Sequence, residues 1–316
     1  MSNIMSAIKV LVLLVFLMGI NASAQKVSPK PKRVPRMQVI PMPYNQASFQ
    51  RNGVEFARYH FGPGLHRPFL FPVIGPSGYS LTRMGHPHDP ESHSHHNSVW
   101  ISHHDVNGTN FWSDGGNGKI RHKRIVKIED SGKSSSIIAE NEWVTDVNKT
   151  LLLETRKETV LLLENSEWLL IIDMEFKAKD KTVTLGKTPF GMLGVRMAKT
   201  IGVNDGGGRI RNSERAVNEK EVLWKRAKWV DYSGAVTNEK LEGITLFDHP
   251  DNPNFPTYFH VRNDGWMGAS LTFDGPKKIQ PNKPLHLRYG LYIHSDMKSI
   301  DAIEAQWKQF AKIDSK

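Results

Sequence analysis

Leu151-Leu-Leu-Glu-Thr-Arg-Lys-Glu-Thr-Val-Leu-Leu-Leu163 is followed by Glu164-Asn165-Ser166 and then by Glu167-Trp-Leu-Leu-Ile-Ile-Asp-Met-Glu-Phe176. By pattern alone the first run fits a helix or a strand. Joined through a turn to its apolar partner, it reads as a long β-hairpin. Thr182-Val-Thr-Leu185, Ile125-Val-Lys-Ile128, Ser136-Ile-Ile-Ala139 and Leu285-His-Leu-Arg-Tyr-Gly-Leu-Tyr-Ile-His294 carry the period of two of half-buried strands. Turn signals separate such segments: Gly62-Pro63-Gly64, Gly75-Pro76-Ser77-Gly78, Asp114-Gly-Gly-Asn-Gly118, Asn204-Asp-Gly-Gly-Gly208 and Asp251-Asn-Pro-Asn254. Short strands between Gly, Pro and Asn turns indicate a mainly β fold, a large antiparallel β-sandwich rather than a βαβ fold. The one helix expected runs from Ser299 to Ala311, where Ile300, Ile303, Trp307 and Phe310 share a face. Gly206-Gly207-Gly208 lacks the Gly-Lys-Ser/Thr ending of a phosphate loop and reads as a turn.

The chain starts with a different kind of segment. Lys9 precedes eleven apolar residues, Val10 to Ile20, and Ala22-Ser23-Ala24 supplies a small-x-small cleavage site. The run is too short for a mature membrane span of about 20 residues but suits a secretory signal. The expected localisation is therefore periplasmic or secreted, with the signal peptide cleaved after Ala24. No later segment is apolar enough to span a membrane. There is no Cys, so neither disulfides nor lipid attachment at cysteine is available. The expected division is a signal peptide over 1–24, a basic Pro-rich tether over 25–37 and a single β-sandwich domain over 38–316.

The formal net charge is +10, but Lys9, Lys26, Lys30, Lys32, Arg33 and Arg36 all precede residue 37. Most of the excess thus belongs to the signal and to an extended tether. With no interleaved basic and aromatic stripe, nucleic acid is not an expected partner.

Chemistry concentrates between His86 and His104, which hold seven of the 14 histidines. On a strand, His93 and His95 would share a face and His96 would oppose them. Three readings stand. In one, His93 and His95 are metal ligands for a divalent ion (Zn, Cu or Ca), with His96, His103 or Asp105 completing the site. In another, His95, His96, His103 and Asp105 are catalytic acid/base or orienting groups in a polar cleft that binds sugar hydroxyls. In the third, the segment is a solvated loop without function. The spacing matches no standard zinc signature, so no metal identity follows.

Other candidates lie elsewhere in the chain. Arg83 precedes the cluster, and Arg196 sits in an otherwise apolar strand-like segment, where it is either at an edge or buried with a partner. His249, His260 and Arg262 project from a proline-rich stretch between Leu246 and Arg262. These, with Trp112, are the expected substrate-binding residues. Trp266 is a further aromatic contact.

Several motifs occur in a fixed order: Phe69-Leu-Phe-Pro-Val-Ile-Gly-Pro-Ser-Gly78, Thr82-Arg83, Ser92-His-Ser-His-His96 and Asp105-Val-Asn-Gly-Thr-Asn-Phe-Trp112. Phe190-Gly-Met-Leu-Gly-Val-Arg-Met-Ala198, Trp229-Val-Asp-Tyr-Ser-Gly234, Phe247-Asp-His-Pro250 and His260-Val-Arg262 follow. The series resembles the PmoA-like family of secreted bacterial proteins, over roughly Pro68 to His294. The chain departs from that family's pattern at Ser92-His-Ser-His-His-Asn-Ser98, where the family has Asp-His-Pro-His-His-Arg-Gly, and at Lys187-Thr188-Pro189, where the family has acidic residues. The label alludes to a methane oxygenase, whose membrane spans this chain lacks. The resemblance implies a galactose mutarotase-like sandwich associated with polysaccharide breakdown. The expectation is a carbohydrate-active protein, an enzyme of the glycoside hydrolase, lyase or epimerase kind acting on a carbohydrate or other small molecule. A metal-binding redox or structural protein and a non-catalytic glycan-binding module are the alternatives.

Overall fold

The computed structural model describes residues 34–85 and 93–314. The segments expected to be the signal and most of the tether, and His86, His88, Asp89 and Glu91 of the histidine-rich segment, lie outside the described residues. Pro35–Lys316 is one compact unit. Met37, the last residue of the expected tether, is buried and opens the first strand.

The first five strands are β1 (Met37–Met42), β2 (Gln46–Arg51), β3 (Val54–His60), β4 (Phe69–Val73) and β5 (Val99–His103). They pair antiparallel in sequence order. β6 (Gly118–Asp130), β7 (Ser134–Thr145), β8 (Thr150–Leu162) and β9 (Trp168–Ala178) build a meander in a second sheet. The hairpin read from the opening stretch is β8–β9, with Leu162 opposite Trp168.

The chain then alternates between sheets. β10 (Val183–Leu185) pairs with β18 (Lys277–Ile279) in a separate ribbon. β11 (Gly191–Arg196), β13 (Lys225–Arg226), β16 (Tyr258–Arg262) and β17 (Trp266–Ser270) extend the first sheet to nine strands. β12 (Arg209–Asn212), β14 (Trp229–Ala235), β15 (Leu241–Asp248) and β19 (Leu285–Ser295) bring the second to eight. Every strand pairing is antiparallel, neither sheet closes into a barrel, and the sandwich expected from sequence is the fold.

The core lies between the sheets. Val99, Ile101, Leu193, Val195, Phe259 and Met267 of the first sheet share it with Leu170, Ile172, Ile244 and Leu291 of the second. Its unusual component is on β8. Glu154, Arg156 and Glu158 are all buried, at alternate positions flanked by Leu152 and Val160. Arg156 Nε donates to Glu154 Oε1 at 2.5 Å, and Trp143 Nε1 donates to Glu154 Oε2 at 2.8 Å. Glu158 Oε1 lies 3.6 Å from the Arg156 guanidinium. Burial pushes the Glu158 carboxyl up to about 7 against that pull. Charges at inward positions hide the period of two, which is why this run fits a helix as well as a strand when read alone.

The outer faces of the sheets differ. Helix Ile300–Phe310, capped by Ser299 Oγ accepting from Ala302 N, covers the eight-stranded sheet. Its Ile303 and Phe310 pack on Leu169, Trp229, Phe247 and Tyr292. Three further helical turns, at Lys199–Ile201, Val203–Gly206 and Asn218–Val222, add to the single helix expected. The Gly-rich segment closes the second of these, with Gly207 at φ 67°. The outer face of the nine-stranded sheet carries a separate aromatic cluster of Phe69, Trp100, Trp112 and Trp266.

Candidate functional site

Strand parity builds the site. In β5, β11, β16 and β17 the residues alternate between the core and the outer face. Cross-strand register then lines up Trp100, Gly194, Gly268 and His260 as one row, with Arg196, Trp266 and Arg262 as the next. The missing side chain at Gly194 makes room. A Cβ there would lie 2.8 Å from both the Trp100 and Trp266 indoles, so only glycine lets them lie over the sheet. The two rings lie 5.2 Å apart and 34° from parallel; Trp266 forms the floor of a cleft of about 600 Å³, and Trp100, outside its lining, packs against Trp266 and His96.

The histidine-rich segment forms one wall. His93–His96 is a turn and not a strand, so the expected opposition of His96 to His93 and His95 does not occur. All three imidazoles line the cleft. His96 stacks on His93 at 4.5 Å and 13°, on Trp266 at 4.8 Å and 24°, and on Trp100 at 5.0 Å and 28°. Arg67 fixes this turn from behind. Its guanidinium is buried and donates to His95 O, Asn97 Oδ1, Phe111 O and Trp112 O, tying the turn to the Trp112 segment.

The opposite wall comes from β16, the β16–β17 turn and the Asn218–Val222 helix. Arg262 Nη1 donates to Glu219 Oε1 at 2.6 Å, and Asn263 N donates to Glu219 Oε2 at 2.8 Å. Asp264 accepts from Arg196 Nη1 at 2.9 Å and lies 3.4 Å from His93 Nδ1. His104 and Phe190 close a third side, their rings 5.9 Å apart.

Protonation follows from burial. Desolvation, reinforced by the Arg67 cation, lowers His95 to about 4. Desolvation, then His95, holds His96 well below its ordinary value. Desolvation, then Arg262, lowers His260 to about 4. These three rings are therefore neutral near pH 7, each with one lone pair and one N–H. His260 is only 4% exposed, and neither of its ring nitrogens makes a hydrogen bond among the described residues. The Pro189 carbonyl opposes its shift from nearby but lies outside hydrogen-bond geometry.

The structure thus gathers His93, His95, His96, Trp112, His260 and Arg262 into one cleft, with Arg196 supporting it through Asp264. Other candidates lie elsewhere. His103 faces the interior, one parity step from Trp100; it is buried, bonded to Thr272 Oγ1 at 2.9 Å, and lowered by burial to about 4. Asp105 accepts from Gly108 N in a turn. Arg83 is outside the lining, its backbone N–H bonded to Arg196 O. His249 is beside Phe310, in a different cavity with Asp173, His286 and Arg288. Sequence reading missed Glu219, Asp264, His104 and Phe190 in the lining. Parity counted from Trp100 points to His104, and the Asp264 turn lies between His260 and Trp266; nothing in the sequence marks Glu219.

No group of three or more His, Asp or Glu among the described residues is arranged to hold a metal. The expected pair His93 and His95 has its rings 6.1 Å apart at 86°, and His93 is stacked on His96.

The chain belongs to a family of unknown function (DUF6807), whose sequence profile matches residues 46–308. The match does not by itself support the PmoA-like label. No curated protein matches the chain. Among solved structures it is similar to a putative kojibiose phosphorylase from the human microbiome, at 10% identity and TM-score 0.38, covering 90% of this chain and 37% of that one. It is also similar to a heparinase III gene product at 15% identity and TM-score 0.36, covering 86% and 38% of the two chains. A GalM/aldose epimerase homologue from C. elegans matches at 8% identity and TM-score 0.37, covering 84% of this chain and all of that one. The chain spans well under half the length of the first two. At these scores the likeness says nothing about activity.

Proposed function

We propose that the cleft binds a sugar ring and that the protein is an exported carbohydrate-active enzyme moving protons with neutral imidazoles. The observation that carries this reading is His260, buried against an indole floor in the cleft with neither ring nitrogen in a hydrogen bond among the described residues. A sugar offers what such a site lacks: hydroxyls to donate to and accept from imidazole, and an apolar ring face to cover Trp266 and Trp112. Glu219 and Asp264, each anchored by an arginine, supply fixed acceptors beside it. His260 and His95 are the proposed acid/base residues. On this reading residues 1–24 are a signal removed on export, as the N-terminal sequence suggests.

The test is binding and turnover on a panel of free sugars and glycosides, followed by calorimetry and mass spectrometry. His260→Ala and His95→Ala are expected to lower turnover by about 100-fold or more, the usual contribution of acid/base catalysis, while retaining the fold. Saturable binding without product in the wild type would make the protein a glycan-binding module. Absence of binding across the panel would remove the reading altogether.

A further inference from the structure

Trp224 is the one exposed tryptophan of the eight, 43% accessible, and it stands beside the cleft without lining it. Its indole lies 6.1 Å from the ring of His260, which also meets the floor residue Trp266 edge-on at 5.8 Å. From Trp224 the aromatic surface continues to Phe273 at 5.8 Å and on to Tyr258 at 4.6 Å. Arg226 lies over the Tyr258 ring at 4.4 Å, held there by Asn254 O, Pro256 O and Asp274 Oδ2.

The backbone adds a second observation. Trp224 has φ 56°, left-handed territory that a bulky aromatic side chain rarely occupies. Its N–H donates to Phe259 O at 2.8 Å, which holds the chain in this conformation. Folding alone does not call for a large apolar ring on a disfavoured backbone, pointing partly into water. Strain of this kind persists where a side chain has to be presented in one place. The presenting element is the Asn218–Val222 helix, which also carries Glu219 and so places the platform and the cleft wall together.

We infer that Trp224 is the stacking platform of a second sugar subsite, so that the cleft takes the terminal unit of an oligosaccharide and Trp224 receives the next. This rests on the sugar reading of the cleft and adds substrate length to it. The flat indole face, continuous with the cleft through His260, suits a pyranose ring and leaves the hydroxyls in solvent.

The test measures dissociation constants for a monosaccharide and its di- and trisaccharides, in the α- and β-linked glucose and galactose series, on the full chain. In one series the disaccharide is expected to bind about threefold to tenfold tighter than the monosaccharide. Trp224→Gly should abolish that gain, leave monosaccharide binding unchanged and keep or raise Tm, since glycine accepts this φ without strain. Trp224→Phe should retain part of the gain. Monosaccharide binding with no length gain, a gain that survives Trp224→Gly, or an equal loss for all lengths would overturn the subsite and leave the cleft reading standing. Failure of every saccharide to bind would overturn both.

Discussion

His96 lies flat on Trp266, ring centroids 4.8 Å apart, with His93 stacked on the same imidazole at 4.5 Å. His96 is thus the joint between the His93–His96 turn and the nine-stranded sheet. His96→Ala should leave a gap under His93 and cost about 2–3 kcal/mol in urea unfolding, while His96→Phe, which keeps the stack, should cost about 1 kcal/mol or less. Equal losses for the two variants would mean that the imidazole nitrogens, not the ring face, hold the turn.

Gly194→Ala tests the floor. Its methyl would lie 2.8 Å from both indoles, so one of them has to move. The expected cost is roughly 1–3 kcal/mol, with a change in tryptophan emission as a ring leaves the sheet. Unchanged stability and emission would show that the floor has slack.

The pKa of His260 should answer to its two charged neighbours with opposite signs. Arg262 lowers it and Glu219 raises it, while burial sets most of the shift. Arg262→Gln is expected to move the ring's NMR titration up from about 4, and Glu219→Gln to move it down. A shift in the same direction for both variants would contradict the placement of those charges.

His103 offers a clean linkage measurement because it is buried and away from the cleft. Its folded value of about 4 lies below the ordinary 6.5, so the unfolded chain takes up its proton first. The stability it permits is present above pH 6.5 and is lost as pH falls toward 4. The stability of the wild type relative to His103→Gln should therefore shrink by up to about 1.4 kcal/mol per pH unit across that window. A constant difference would mean that His103 is protonated in the fold.

How much of this was legible beforehand depends on the residue. Strand periodicity, the β8–β9 hairpin and the Ser299-capped helix follow from local pattern, since each is written in neighbouring residues. The placement of His260 and Arg262 with Trp266 was also within reach, because β16 and β17 are joined by a short turn. Two things were not. The conformation of His93–His96 is set by Arg67, which stands far back in the sequence, and Glu219 reaches the cleft only because Asn263 and Arg262 receive it. Contacts of that range leave no periodic trace. His103 was drawn in by its neighbours in sequence although parity sends it inward.

The buried charges of β8 invite a last test. Arg156→Met leaves Glu154 and Glu158 without their cation in the core, with an expected loss of about 3–5 kcal/mol in chemical denaturation. Replacing all three with apolar residues of similar volume should recover most of that loss. Failure to recover it would point to a role for the polar triad beyond charge balance.

Alternation along β5, β11, β16 and β17 interleaves two sets of positions within the same few residues. Point substitutions can therefore retune ligand contacts at even-numbered sites while the odd-numbered ones keep the sandwich intact. A single-residue insertion or deletion in any of these strands has no such freedom: it would exchange the two sets downstream, putting imidazole and arginine among the aliphatic side chains and valine and methionine in the cleft. Variation in length is consequently expected in the connecting segments. New specificities in relatives of this chain are expected to arise by substitution on the strands and by remodelling of the turns that bear His95, Glu219 and Asp264.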